Sequence, residues 1–234
     1  MTDDRAPFEG FRPEAISFLA DLAANNDRAW FAPRKADYEA LLKRPLEALC
    51  VALAERFAAR GLPLTADPRR SPFRIHRDVR FSRDKSPYKT AAAARFMAVG
   101  GGPGGYFHLE PGEIHAGGGL YRPEPAVLAS WRRLVDTDPA AVRAAITDPG
   151  FTAAFGELTG DRSARVPTGY PKDHPAADLL RLKDQIFSTR LADAEVLSPR
   201  LPDTLVDLYA AAGPVWELLM RVASSADRRS DAGR

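Results

Sequence analysis

Apolar residues recur with one period at the two ends of this chain and with another in its middle, and any fold must honour that change. Beyond Pro45, the residues Leu46, Leu49, Cys50, Leu53 and Phe57 fall on a single helical stripe, and Gly61 marks its end. Ile16, Leu19, Leu22 and Ala23 make another stripe behind Pro13, stopped by Asn25-Asn26. Asp27 is placed to cap a short helix carrying Trp30 and Phe31. Further on the spacing becomes two: Phe73, Ile75, Val79 and Phe81 alternate with polar residues, which predicts a strand over 73–82. Residues 89–99 are read as a second strand, and Tyr106–Glu110 and Glu113–Gly117 as a hairpin about Pro111-Gly112. After Tyr121 helical spacing returns. Pro125, Pro139, Pro149, Pro175, Pro202 and Pro214 each open an apolar helical pattern, with Asp138 and Asp148 in N-cap positions. One late strand is expected at 185–191. The predicted class is α+β: a helical N-terminal part, a small mostly antiparallel sheet and a helical C-terminal part. A single domain over 1–223 and a disordered tail at 224–234 complete that expectation.

Composition excludes several classes. The longest stretch free of Asp, Glu, Lys and Arg is the fourteen residues Phe96 to Leu109, broken by five glycines and a proline, so no membrane partner is expected. Met1 to Arg12 has no apolar run and does not read as a secretory signal. A single cysteine, Cys50, rules out an internal disulfide. It sits on an apolar stripe, suits a reducing compartment and is read as a small buried hydrophobe. The expectation is a cytoplasmic protein.

The net charge of +2 hides a segregation. Residues 69–95 hold nine cations (Arg69, Arg70, Arg74, Arg77, Arg80, Arg83, Lys85, Lys89 and Arg95) against Asp78 and Asp84 alone, a local charge of +7. The rest of the chain, with 24 basic and 29 acidic residues, is −5. Guanidinium forks, an ammonium, hydroxyls and Tyr88 within one stretch match a phosphate or carboxylate ligand. On a regular strand Arg77 would fall on the apolar side and need a fixed partner, with Asp78 completing a buried frame. The candidate anion-binding residues are therefore Arg74, Arg77, Asp78, Arg80, Asp84, Lys85, Tyr88 and Lys89. Two alternatives stand beside this reading. The segment is a nucleic-acid-binding surface, or its arginines form a structural ion network with acids such as Asp37, Glu39 and Glu47.

Other constellations are weaker. A two-residue hairpin loop pairs His108 with His115 and gathers Tyr106, His108, Glu110, Glu113 and His115 on one face. Such a face is suited to acid–base work or a divalent metal, but its plainer reading is a polar outer surface. His174 is read as a capping or loop residue, and Trp30-Phe31, Trp131 and Trp216 as packing groups. The GGGPGG run at 100–105 is a flexible turn, since no Lys-Ser or Lys-Thr pair follows it as a phosphate loop requires. No metal ligand set is assigned, and the cofactor is left open.

The run Arg74-x-x-Arg77-Asp78-x-Arg80-Phe81-Ser82-Arg83-Asp84-Lys85-x-Pro87-Tyr88-Lys89-Thr90 resembles the signature of a bacterial family of unknown function, domain of unknown function family 2461. The resemblance extends over Phe8-Glu9-Gly10-Phe11, Asn26-x-Arg28-x-Trp30-Phe31 and Gly117-Gly118-Gly119-Leu120-Tyr121-x-Pro123. It continues through Gly169-Tyr170-Pro171-Lys172-Asp173-His174-Pro175 to Leu179-Leu180-Arg181. It implies a cytosolic bacterial protein and brings no catalytic residue with it. The function expected from the residues is a site for a small phosphorylated or nucleotide-like ligand, in an enzyme or a binding protein.

Overall fold

Proline and aspartate set most of the helix starts. In the computed structural model, α1 (Pro13–Ala24) opens on Pro13 and buries Ala15, Phe18, Leu19 and Leu22. Phe18 turns inward where the sequence stripe favoured Ala23, which is exposed. The structure describes residues 7–232, with side chains to 226. Residues 1–6, half of the segment read as lacking a signal, and residues 233–234, the end of the expected tail, lie outside it.

The Asp27 carboxylate accepts the Trp30 N–H at 2.8 Å and starts α2 (Arg28–Phe31). A 3-10 turn (Ala32–Arg34), α3 (Lys35–Tyr38) and a π-helical turn (Glu39–Lys43) lead into α4 (Arg44–Ala59). That helix buries Leu46, Leu49, Cys50, Leu53 and Phe57, the stripe expected from spacing.

Five strands, β1 (Leu64–Thr65), β2 (Ala92–Ala98), β3 (Gly104–Glu110), β4 (Glu113–Leu120) and β5 (Gln185–Arg190), form one antiparallel sheet in chain order. Short hairpins set the β2-β3-β4 part of that order, because consecutive antiparallel strands need only a few linking residues, while β1 and β5 join the two edges through longer connections. Pro111-Gly112 joins β3 to β4, with Gly112 at φ 75°. Then follow α5 (Pro125–Thr137), α6 (Pro139–Ile146), α7 (Pro149–Phe155) and α8 (Ala177–Leu180), all before β5. Asp138 and Asp148 accept the N–H groups of Ala141 and Phe151, both at 3.0 Å, as N-caps of α6 and α7. After β5 come α9 (Asp193–Val196), α10 (Leu201–Ala211) and α11 (Gly213–Ala232). The architecture is α+β.

One expected element is absent. Residues 73–82 make no strand, although Ile75 is buried. Two single antiparallel bridges, Pro72 with Ala94 and His76 with Tyr88, are all that remains of the ladder. Pro72 and Pro87 have no N–H to give it. Beyond Arg77 the chain bonds to itself instead: Ser82 N–H to the Val79 carbonyl at 3.3 Å, and Ser86 N–H to Asp84 at 2.9 Å. The alternation is thereby spent on solvent, with Phe73 44% and Phe81 95% exposed.

The chain forms two compact units. The first takes residues up to Phe96, Tyr106–Ala116 and Arg190–Asp207. Its core holds Phe11, which stacks on Phe107 at 6.1 Å and meets Phe8 edge-on at 5.6 Å. Gly10, at φ 97°, lies so close to Leu197 that an added Cβ would sit 2.2 Å from its carbonyl oxygen, so no other residue fits there. The second unit takes Met97–Gly105, Gly117–Thr189 and the chain from Leu208 on. Trp131 and Trp216 are buried in it, their indole N–H groups donating to the Leu179 and Tyr209 carbonyls at 3.1 and 2.9 Å. A Cβ on Gly118 would lie 2.4 Å from the Trp216 ring, which accounts for part of the glycine run at 117–119 by packing alone. Among the described residues no helix is long and apolar enough to cross a membrane.

Candidate functional site

The polar face of the β3–β4 hairpin lines a cleft in the first unit. Alternation sends Phe107, Leu109, Ile114 and Ala116 into the core, so Tyr106, His108, Glu110 and His115 share the other face. His108 and His115 stack with ring centroids 4.6 Å apart, the pairing that a two-residue loop dictates. The cleft has a volume of about 540 Å³, and its wall includes Tyr106, His108 and Glu110 together with Arg77, Asp84, Tyr88, Lys89 and Thr90. The sequence set these histidines apart from the basic segment. The fold brings the two together.

Four side chains of the cleft wall form a linear hydrogen-bonded chain. Tyr106 Oη lies 3.0 Å from His108 Nδ1, and His108 Nε2 lies 3.1 Å from Glu110 Oε2. The Thr90 hydroxyl donates to Glu110 Oε1 at 2.5 Å. A carboxylate only accepts, so in the neutral ring Nε2 carries the proton and Nδ1 receives the Tyr106 hydroxyl. Burial, with Glu110 and Glu113 nearby, holds the Tyr106 phenol above its usual range, so it keeps its proton. Burial and the adjacent His108 lower the pKa of His115 against the opposing pull of Glu113 and Glu110. The pair therefore resists taking two protons.

Opposite stand the cations. The Asn26 side-chain amide clamps the Tyr88 peptide, accepting its N–H and donating to its carbonyl, each at 3.0 Å. The Tyr88 ring is buried and stacks on Phe31 at 4.1 Å, so residue 88 is a rigid support. It holds Lys89 at the cleft, where the ammonium rides over the Phe73 ring at 4.8 Å. Burial and the neighbouring Arg74 charge lower the Lys89 pKa. Among the described residues, no carboxylate pairs with Lys89.

The other expected site residues scatter. Arg77 pairs with Asp84, whose carboxyl is pushed below the ordinary carboxylate range by the Ser86 hydroxyl and Arg77. Arg77 is thus neither on a strand face nor dependent on Asp78. Asp78 is no buried frame: it is 61% exposed and holds Arg80 at 2.7 Å. Its carboxyl is lowered by the Arg80 side chain and N–H, and Arg80 is raised in turn. Lys85 donates to the Val79 carbonyl at 3.0 Å and does not line the cleft. Arg74 faces a second cavity of about 320 Å³, with Arg69, Phe31, Tyr38 and Leu42. Asp37, Glu39 and Glu47 make no ion pair with the basic segment among the described residues. His174 is a loop residue of the second unit, its Nδ1 accepting the Ala176 N–H at 3.0 Å and its Nε2 facing Asp136 at 3.3 Å.

Thr90, Asn26 and Glu110 were not among the sequence candidates for the anion site. Glu110 and Thr90 are twenty residues apart, and only β2 lying against β3 makes them neighbours. Among the described residues no cluster of His, Cys, Asp and Glu has the arrangement of a metal site.

A family model described as conserved hypothetical protein, DUF2461, matches residues 14–217. The chain belongs to this family. The matched span includes the basic segment, the hairpin and the clamp residue Asn26, so the cleft is built wholly from residues of the DUF2461 region. No curated protein and no solved structure matches the chain.

Proposed function

We propose that the hairpin cleft binds a small anion, a phosphate or a phosphorylated metabolite, through Lys89 and Arg77. The observation that carries this reading is Lys89: an ammonium half-withdrawn from water, close to Arg74 and with no acid beside it among the described residues. Such a charge is costly to fold unless a ligand supplies the counter-charge. Arg77, already held by Asp84, contributes a fixed fork at the same wall. Arg80 and Lys85, which the charge count also favoured, spend their donors on the loop itself. A bacterial cytoplasmic setting suits the reading, since Cys50 is a buried cysteine outside any disulfide and phosphorylated metabolites abound there.

Calorimetric titration of the full chain with inorganic phosphate, followed by nucleotides and sugar phosphates, tests it. A charge-assisted hydrogen bond contributes about 1.5–3 kcal/mol. Lys89→Ala is therefore expected to weaken phosphate binding roughly ten- to hundred-fold. Arg83→Ala, exposed and outside the cleft wall, is expected to leave affinity unchanged. Equal binding by the wild type and Lys89→Ala refutes the reading.

A further inference from the structure

The cleft puts a proton-accepting chain and the anion-binding cations on the walls of one cavity. Glu110 and Thr90 fix the imidazole, the imidazole fixes the tyrosine hydroxyl, and the hydroxyl's own proton is directed to His108 Nδ1. A hydroxyl so engaged offers its lone pairs, not its proton, to whatever stands before it.

We propose that Tyr106, His108 and Glu110 form a proton relay that activates water for attack on a phosphate ester held by Lys89. The inference rests on the anion-binding reading above. Water gives a proton to Tyr106 Oη as Tyr106 passes its own to His108 Nδ1. The resulting imidazolium is stabilised by Glu110, and Tyr106 ends unchanged. The oxygen of the water forms the new P–O bond, the bond from phosphorus to the ester oxygen breaks, and the leaving oxygen takes its proton from solvent. The sum is ester plus water giving alcohol plus phosphate, with His108 returning its proton to solvent. Tyr106 and His108 are the catalytic groups. Glu110 and Thr90 are positioning residues, one aligning the ring and one aligning the carboxylate. Lys89 has a second use here, because a cation beside the phosphoryl oxygens stabilises the charge that builds on them during attack.

The decisive assay is release of p-nitrophenolate from p-nitrophenyl phosphate by the full chain. Turnover is expected. His108→Ala and Tyr106→Phe should each lower kcat on the order of a hundredfold. Free imidazole should restore part of the His108→Ala rate, which no purely structural loss allows. Thr90→Val should lower kcat several-fold at unchanged KM, and Thr90→Ser should recover it. Phe81→Ala, 95% exposed, is the control expected to leave turnover alone. Nitrogen-15 correlation spectra supply a check that needs no substrate: neutral His108 must carry its proton on Nε2. A proton on Nδ1 overturns the relay. So does wild-type release no faster than that of His108→Ala in protein that still binds phosphate through Lys89. Absence of Lys89-dependent phosphate binding overturns the underlying reading instead.

Discussion

The loop at 78–86 and the hairpin face at 106–115 are both short, polar and rich in ionisable groups, yet they use those groups in opposite ways. In the loop each acid is matched to a nearby arginine, Asp78 to Arg80 and Asp84 to Arg77, and the Arg80–Asp78 pair stands in water. Exposed pairs of this kind contribute little to stability. The hairpin face has fewer charges, but strand register stacks its imidazoles and the fold sets a cleft before His108. Charge density marks where a chain is soluble. Chemistry is marked by partly buried polar groups whose directions are fixed.

The widest separation of the two regions lies in their aromatic residues. Phe107, fully buried behind the hairpin face and stacked on Phe11, should lose about 3–5 kcal/mol of stability on replacement by Ala. Phe81→Ala in the loop should change stability by no more than about 0.5 kcal/mol. Paired urea titrations compare them, and equal losses would break the distinction.

A smaller effect tests the support of the cleft. Asn26→Ala removes both bonds to the Tyr88 peptide and should cost about 2 kcal/mol in the same titration. It should also weaken phosphate binding, because Lys89 follows directly.

Smaller again is a pH dependence. Because the folded-state pKa of His115 lies below its ordinary 6.5, the unfolded chain binds protons first as pH falls. Its contribution is therefore intact above about pH 6.5 and is lost progressively on acidification toward the lower folded value. The melting temperature of His115→Gln should fall less steeply than that of wild type below pH 6.5. Parallel slopes would remove His115 from the account.

The smallest expected effect is in the loop. Arg80→Ala, breaking the exposed pair with Asp78, should leave the melting temperature unchanged within error in differential scanning calorimetry. A clear fall would mean that the loop is a structural network after all.

Much of the fold is legible because it is local. The α4 stripe, the caps at Asp27, Asp138 and Asp148, and the hairpin about Pro111-Gly112 all depend on residues a few positions apart. The strand expected at 73–82 failed for a reason that alternation does not encode. Pro72 and Pro87 break the ladder, and the acids of the loop offer its backbone other partners. Lys89, Tyr88, Arg77 and Asp84 were legible as cleft residues by type. Their union with Tyr106, His108 and Glu110 was not, since it depends on contacts between segments about twenty residues apart.

From sequence alone follow the α+β class, the period of nearly every element, the pairing of His108 with His115 and the existence of a basic segment. Short-range sterics and hydrogen bonding suffice for all of these. Tertiary structure alone decided which charges were already neutralised, which cation was left beside a cleft, and which polar groups faced it. Those outcomes depend on distance and burial in three dimensions, and a count of charges along the chain contains neither.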